Sequence, residues 1–235
     1  SFYVPFLNDM DLAFYGANYH SRLPVLSGTS RTGPTTAADT ANYFVEYPED
    51  IQLYGLSFNT TIPLLDVAVQ GEYSLKVGQP LQLDDVELLL AGLGAAGQIS
   101  PLAGGTLGNQ YLRGWRRFDV DQVDLSITKI IGPISWLGSD QLSMFLETGF
   151  VNVRDLPSPR VLAFDAPGTS TMNLGTAMLN PATDGGAGDS AANDDGLPNT
   201  PDEDYATQYS WGYKAAARFT YNNVFNAVTL EPTIL

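Results

Sequence analysis

Thr207 to Tyr221 reads Thr-Gln-Tyr-Ser-Trp-Gly-Tyr-Lys-Ala-Ala-Ala-Arg-Phe-Thr-Tyr. Tyr209, Trp211, Tyr213, Ala215, Ala217, Phe219 and Tyr221 share one parity, and Gln208, Ser210, Gly212, Lys214, Ala216, Arg218 and Thr220 the other. A period of two over this length predicts a strand with one apolar and one polar face. Strands of soluble domains run to about 5–6 residues, whereas a tilted membrane-crossing strand needs about 9–11. Aromatics at both ends of the apolar face and alanines between them match the girdles that mark the two lipid–water boundaries of a barrel.

Working outward, the same alternation recurs. Ala13, Tyr15, Ala17 and Tyr19 fall on one parity within Asp11 to Ser21, which predicts a strand with Tyr15 and Tyr19 in an aromatic belt. Ser27 to Thr40 reads as a polar loop, and Pro48-Glu49-Asp50 as the start of a short helix. Tyr54, Leu56 and Phe58 alternate with Gly55, Ser57 and Asn59. Val67, Val69, Gly71, Tyr73, Leu75 and Val77 then oppose Asp66, Ala68, Gln70, Glu72, Ser74 and Lys76, so the two runs form a hairpin. Asp84 to Leu93 changes period and predicts a short helix with acidic residues at its start. A second hairpin follows from near Trp115, pairing the Val123-Leu125-Ile127 run with Leu142-Met144-Leu146-Phe150. Asn222-Asn223 is expected to turn the chain into a last run at Val228.

Connections alternate between tight turns and long loops, the longest being an acidic segment at about 154–206. That asymmetry belongs to outer-membrane barrels. The fold class expected is all-β, an antiparallel transmembrane β-barrel segment over residues 1–235 with long external loops and one short helix. About seven long strands are too few for a single-chain barrel of at least 8. Open edges in lipid cost several kcal/mol per unpaired backbone group, so further sequence or other chains are expected to complete the wall.

Composition agrees by exclusion. The chain has 235 residues, 44% hydrophobic, and a mean hydropathy of −0.05, with no run near the ~20 apolar residues of a membrane helix. A formal charge of −15 excludes nucleic acid as a partner. The absence of cysteine removes thiol chemistry and disulfides. The chain opens at Ser1-Phe2-Tyr3 without a basic and apolar leader and stops inside a strand pattern, so both ends read as cut.

Leu12-Ala13-Phe14-Tyr15-Gly16-Ala17-Asn18-Tyr19-His20-Ser21-Arg22-Leu23-Pro24, together with Ile51 to Thr60, Phe118-Asp119-Val120-Asp121-Gln122-Val123 and Ser210-Trp211-Gly212-Tyr213, resembles an uncharacterised, porin-like proteobacterial outer-membrane barrel family. That family carries only a domain-of-unknown-function label, and the similarity runs from about Asp9 to Leu235. The resemblance implies a barrel in the outer membrane of a Gram-negative bacterium. It also implies handling of small hydrophobic or organic molecules, with outer-membrane lipid and envelope transport components as partners. The family's usual chain is much longer, and it has no catalytic residues to carry over.

The polar parity supplies Gln70, Glu72, Lys76, Asp124, Glu147, Lys214 and Arg218 as candidate lumen-lining residues. The alternative is a salt-bridged interior with no path. Tyr15, Tyr19, Tyr73, Tyr209, Trp211, Tyr213, Phe219 and Tyr221 are the candidate membrane girdle. In the acidic loop, Asp189, Asn193, Asp195 and Asn199 place oxygens near Gly196 in a partial calcium-loop pattern, although Ala191 stands at its first Asp position and its twelfth position lacks Glu. A solvated acidic loop is the alternative there, and no other cofactor is expected. Asp84, Asp85 and Glu87 read as helix-dipole partners rather than an acid/base pair. His20 stands alone and no G-x-S-x-G elbow exists, so no enzyme is expected. Arg113, Arg116 and Arg117 beside Trp115 suit lipid headgroups or a solvated loop. The expected function is passage of a small, hydrophobic organic solute. The alternatives are an assembly role, a hydrolase built on His20, and a secreted calcium-binding β-protein.

Overall fold

The computed structural model describes residues 1–33, 40–94, 98–99, 107–165 and 204–235. In chain order the strands are β1 (Phe2–Val4), β2 (Met10–Tyr19), β3 (Val25–Thr29), β4 (Asn42–Glu46), β5 (Ile51–Ile62) and β6 (Val67–Gln82). The helix α1 (Asp85–Leu93) follows, then β7 (Tyr111–Leu112), β8 (Trp115–Ile131), β9 (Gln141–Val153), β10 (Tyr209–Phe225), β11 (Val228–Leu230) and β12 (Thr233–Ile234). Nine strands form one antiparallel sheet in the order β1-β2-β5-β6-β8-β9-β10-β11, with β12 also on β10. A second sheet has the order β4-β3-β7. Among the described residues the outermost strands of the main sheet do not pair with each other, so the wall is open.

The alternation read from the sequence survives in the ladder. Phe14, Leu56, Tyr73, Val123, Phe150 and Trp211 are successive cross-strand partners, and so on the same face are Leu12, Phe58, Gly71, Leu125, Thr148 and Tyr213. On the opposite face runs Asp11-Asn59-Gln70-Ser126-Glu147-Lys214, and beside it Ala13-Ser57-Glu72-Asp124-Gly149-Gly212. Through these rows the registers keep period two, since one slipped residue would exchange the faces; shifts occur only nearer the strand ends, between Lys76 and Gln79 on β6 and between Tyr221 and Phe225 on β10. On β8 the apolar run is bracketed by Asp121 and Lys129; eight residues at about 3.4 Å each span about 27 Å along the strand.

The two ends of the sheet differ. One end carries the tight turns 5–9, 63–66, 132–140 and 226–227. Asn8, Asp9, Asp66 and Asn226 take left-handed conformations in them, with φ of 53°, 55°, 51° and 58°, which Asn and Asp tolerate best among side-chain-bearing residues. The other end carries three long connections, and there the buried side chains concentrate: Ile51, Leu83, Leu90 and Ala163 are fully enclosed. The second sheet, α1 and the segment around Phe164 form this cap. Phe118 of β8 meets the Phe164 ring edge-on at 5.1 Å.

Helix α1 forms as expected. Asp84 accepts from the Val86 and Glu87 amides at 3.0 and 3.2 Å, and Gly94 closes it at φ 71°. Three local expectations are corrected. Residues 27–29, expected to begin a loop, are the end of strand β3, because β4 pairs with them on one side and β7 pairs with Gly28 and Thr29 on the other. Residues 48–50 are not helical, since β5 begins at Ile51. The last turn lies at 226–227, not at Asn222-Asn223; Asn223 (φ 56°) instead sits where the β10–β11 register shifts, and β10 continues to Phe225.

Candidate functional site: the polar face of the main sheet

Glu72 and Asp124 are direct cross-strand partners, an arrangement of like charges that destabilises a bare ladder. Two neutral donors offset it. The Tyr15 hydroxyl donates to Glu72 at 2.6 Å, and Gln122 Nε2 donates to Asp124 at 2.7 Å. Gly149 leaves room for this group, because a Cβ there would stand 2.9 Å from Asp124 Oδ1. One pair further along the ladder come Asp11, Gln70 and Glu147, with Lys214 opposite Glu147. Asp11, Gln70, Glu72, Asp124 and Glu147 line an open trough of about 400 Å³.

All seven candidate lining residues share this face. Lys76 lies toward the cap, four residues from Glu72 along β6. Arg218 lies toward the turns, 4.0 Å from Glu231. An acidic band is thus flanked by cations along the strand direction.

The girdle candidates divide. Tyr73, Tyr209, Trp211, Tyr213, Phe219 and Tyr221 fall on the apolar face, and Trp211 is 71% exposed. Tyr15 and Tyr19 do not. The β2–β5 register sets Tyr15 opposite Gly55 and Tyr19 opposite Ile51, both on the polar face, with the Tyr19 hydroxyl 3.5 Å from Gln79. The Tyr15 ring lies over Gly55, where a Cβ would come within 2.0 Å of it. Alanines 13 and 17 misled the parity reading, because small residues suit either face. Asp189, Asn193, Asp195 and Asn199 lie outside the described residues. Within those described, no cluster of three or more His, Asp or Glu is placed to hold a metal.

The cap holds polar groups that periodicity could not reveal. Glu46 accepts from Ser27 Oγ, from Trp115 Nε1 at 2.9 Å and from Tyr111 Oη at 2.9 Å. Burial pushes its carboxyl upward, but these donors and the nearby Arg113 outweigh burial and hold it below the usual carboxylate range. Gln82 acts as a short piece of extra strand. Its amide accepts from the Leu26 N–H at 2.6 Å and donates to the Gly114 carbonyl at 2.7 Å. Arg113 and Arg117 sit over the buried Trp115 ring at 5.0 and 5.2 Å, each a cation–π contact, while both residues remain exposed. Glu87, fully buried on α1, accepts from the Gln98 amide at 2.7 Å. Burial, with a smaller push from Asp84, raises its carboxyl to about 7 despite that hydrogen bond.

Across residues 1–235 the sequence matches the family described as "Protein of unknown function (DUF1302)". The chain belongs to the DUF1302 family. No curated protein and no solved structure matches it. For this DUF1302 chain, as for the fold, no described helix is long and apolar enough to cross a membrane, which leaves crossing by strands untouched.

Proposed function

We propose that this DUF1302 chain forms part of the wall of an outer-membrane β-barrel and passes a small organic solute along its polar face, without chemistry. The observation that carries the reading is the sheet's sidedness. A two-faced sheet in water must bury its apolar face against a second layer, yet Phe14, Tyr73, Phe150, Trp211 and Tyr213 have none among the described residues. Hydrocarbon supplies that layer. A strand run of about 27 Å between charged brackets, which a tilt of about 40° reduces to about 21 Å of height, comes within a few ångströms of an apolar band about 25 Å tall. The enclosed space on the other side is the solute's path.

Asp11, Glu72, Asp124 and Glu147 favour neutral or cationic solutes over anions there. Hydrophobic solutes come from the family resemblance alone. The test is reconstitution of the full-length protein in liposomes. Conductance with a cation preference is expected, and exchange of Glu72→Gln with Asp124→Asn should lower that preference several-fold. Absence of both conductance and solute flux would overturn the reading. A second reading, an assembly role in which other chains add strands, is favoured by the outer edge of β10 over residues 209–216, which has no strand partner among the described residues; a native mass above one full-length chain supports it.

A further inference from the structure

The cap contains a cavity of about 360 Å³ between α1 and the second sheet. Its size falls within the range of small-molecule sites, about 300–1,000 Å³. Leu26, Leu88, Leu89, Leu93, Leu112 and Tyr43 supply its apolar lining. Leu89 and Tyr43 remain exposed. A concave, mostly apolar site with a few polar groups at its rim is the form that small-molecule sites take.

Gly92 makes the case stronger. It lies within α1, where glycine costs about 0.5–1 kcal/mol relative to alanine, and a Cβ at this position would meet nothing within 4 Å. Neither packing nor backbone geometry demands a glycine here, since its φ is not in the left-handed region. What the missing side chain does is leave the cavity wider.

The polar groups at the rim set the ligand class. Asp85, Asn42 and Thr29 contribute to the lining, and no Lys or Arg is among the described residues that do. A ligand carboxylate would therefore meet an acid in the lining, in a chain of formal charge −15; the neighbouring Arg31, whose backbone N–H donates to the Gly92 carbonyl at 2.9 Å, is not among the described lining residues. A hydroxyl or an amine would find acceptors.

We propose that this cavity is a binding site for a small, apolar, uncharged or cationic molecule carrying a hydroxyl or amino group, and that it discriminates against carboxylates of the same chain length. The site is distinct from the trough on the polar face of the main sheet, and it stands whether or not that sheet conducts.

The experiment uses the full-length protein in lipid nanodiscs with two photoreactive probes, a diazirine-bearing medium-chain alcohol and the carboxylic acid of the same chain. Cross-linked peptides are mapped by mass spectrometry. Saturable labelling of β3 and α1 by the alcohol is expected, competed by the unlabelled alcohol, with the acid about tenfold weaker, equivalent to about 1.4 kcal/mol. Gly92→Phe, which fills the cavity from the helix side, should abolish this labelling; Ala41→Phe fills it from the sheet side should the helix variant fail to fold. Labelling confined to the apolar face of the main sheet would overturn the site, as would equal labelling by alcohol and acid or unchanged labelling in a folded cavity-filling variant. Solute flux measured on the same preparations keeps the two readings apart: flux without cap labelling refutes this site alone, and cap labelling without flux refutes conduction alone.

Discussion

Tyr15 and Gly55 show how much one residue pair controls. The ring covers the backbone of the facing strand and places its hydroxyl on Glu72, which steadies a carboxylate set opposite Asp124. Gly55→Val would drive two methyl groups into that ring. Overpacking of this kind costs about 1–3 kcal/mol, measurable as a lowered denaturant midpoint, while Tyr15→Phe, which removes only the hydroxyl's bond to Glu72, should keep the fold and cost about 0.5–1.5 kcal/mol. Glu87 offers a residue-scale test in pH. Its folded carboxyl is raised above the ordinary value of 4.5 to about 7, so the protonated form is the one the cap favours. Stability of the cap is then fully present below about 4.5, declines as the unfolded chain ionises between about 4.5 and 7, and levels off above. Limited proteolysis of the cap across that range should show increasing cleavage with pH, and Glu87→Gln, which can still accept from Gln98, should flatten the profile.

At the scale of elements, strands and caps were not equally legible. The long strands β5, β6, β8, β9 and β10 announce themselves because alternation of apolar and polar residues over more than ten residues has no simple source other than a two-faced strand. The short strands β3, β4 and β7 do not, since their apolar content is scattered and their partners lie up to 87 residues apart, as in the Gly114 N–H to Ser27 Oγ bond of 3.1 Å. The device that joins cap to wall is Gln82, at the end of β6. Gly78, with φ 74°, makes the bulge that precedes it, shifting the β6–β8 register between Lys76 and Gln79. This extra residue exchanges the faces, which is why Gln79 joins Tyr19 on the polar side. Gln82→Ala would leave the Leu26 amide and the Gly114 carbonyl without their side-chain partner in a part-buried position. A loss of about 1–3 kcal/mol in cap stability is expected, read as faster amide hydrogen exchange in β3 and β7 with little change in β8 and β9.

For the whole molecule the three tryptophans report on placement. Trp211 lies on the apolar face near the cap, Trp136 projects from the 132–140 turn at 84% exposure, and Trp115 is enclosed in the cap at 8%. If the sheet crosses a bilayer, the first two sit at opposite interfaces. In single-tryptophan variants, lipids brominated near the headgroup should quench Trp211 and Trp136 strongly and Trp115 hardly at all. Quenching of Trp211 by aqueous iodide instead of brominated lipid would refute the membrane placement. Phe6 in the 5–9 turn and Phe225 at the end of β10 are exposed at the same end of the sheet as Trp136.

Sidedness, strand length and the α1 helix were set by local sequence, because period two, period 3.6 and capping chemistry each act over a few residues. The seven polar-face residues were legible for the same reason. Which carboxylates oppose each other, which face Tyr15 and Tyr19 occupy, and how Glu46, Gln82 and Glu87 are buried were decided only by the tertiary structure. Those outcomes depend on register between strands distant in sequence, on a bulge that exchanges faces, and on a cap assembled from three separate connections. No local pattern encodes contacts of that kind.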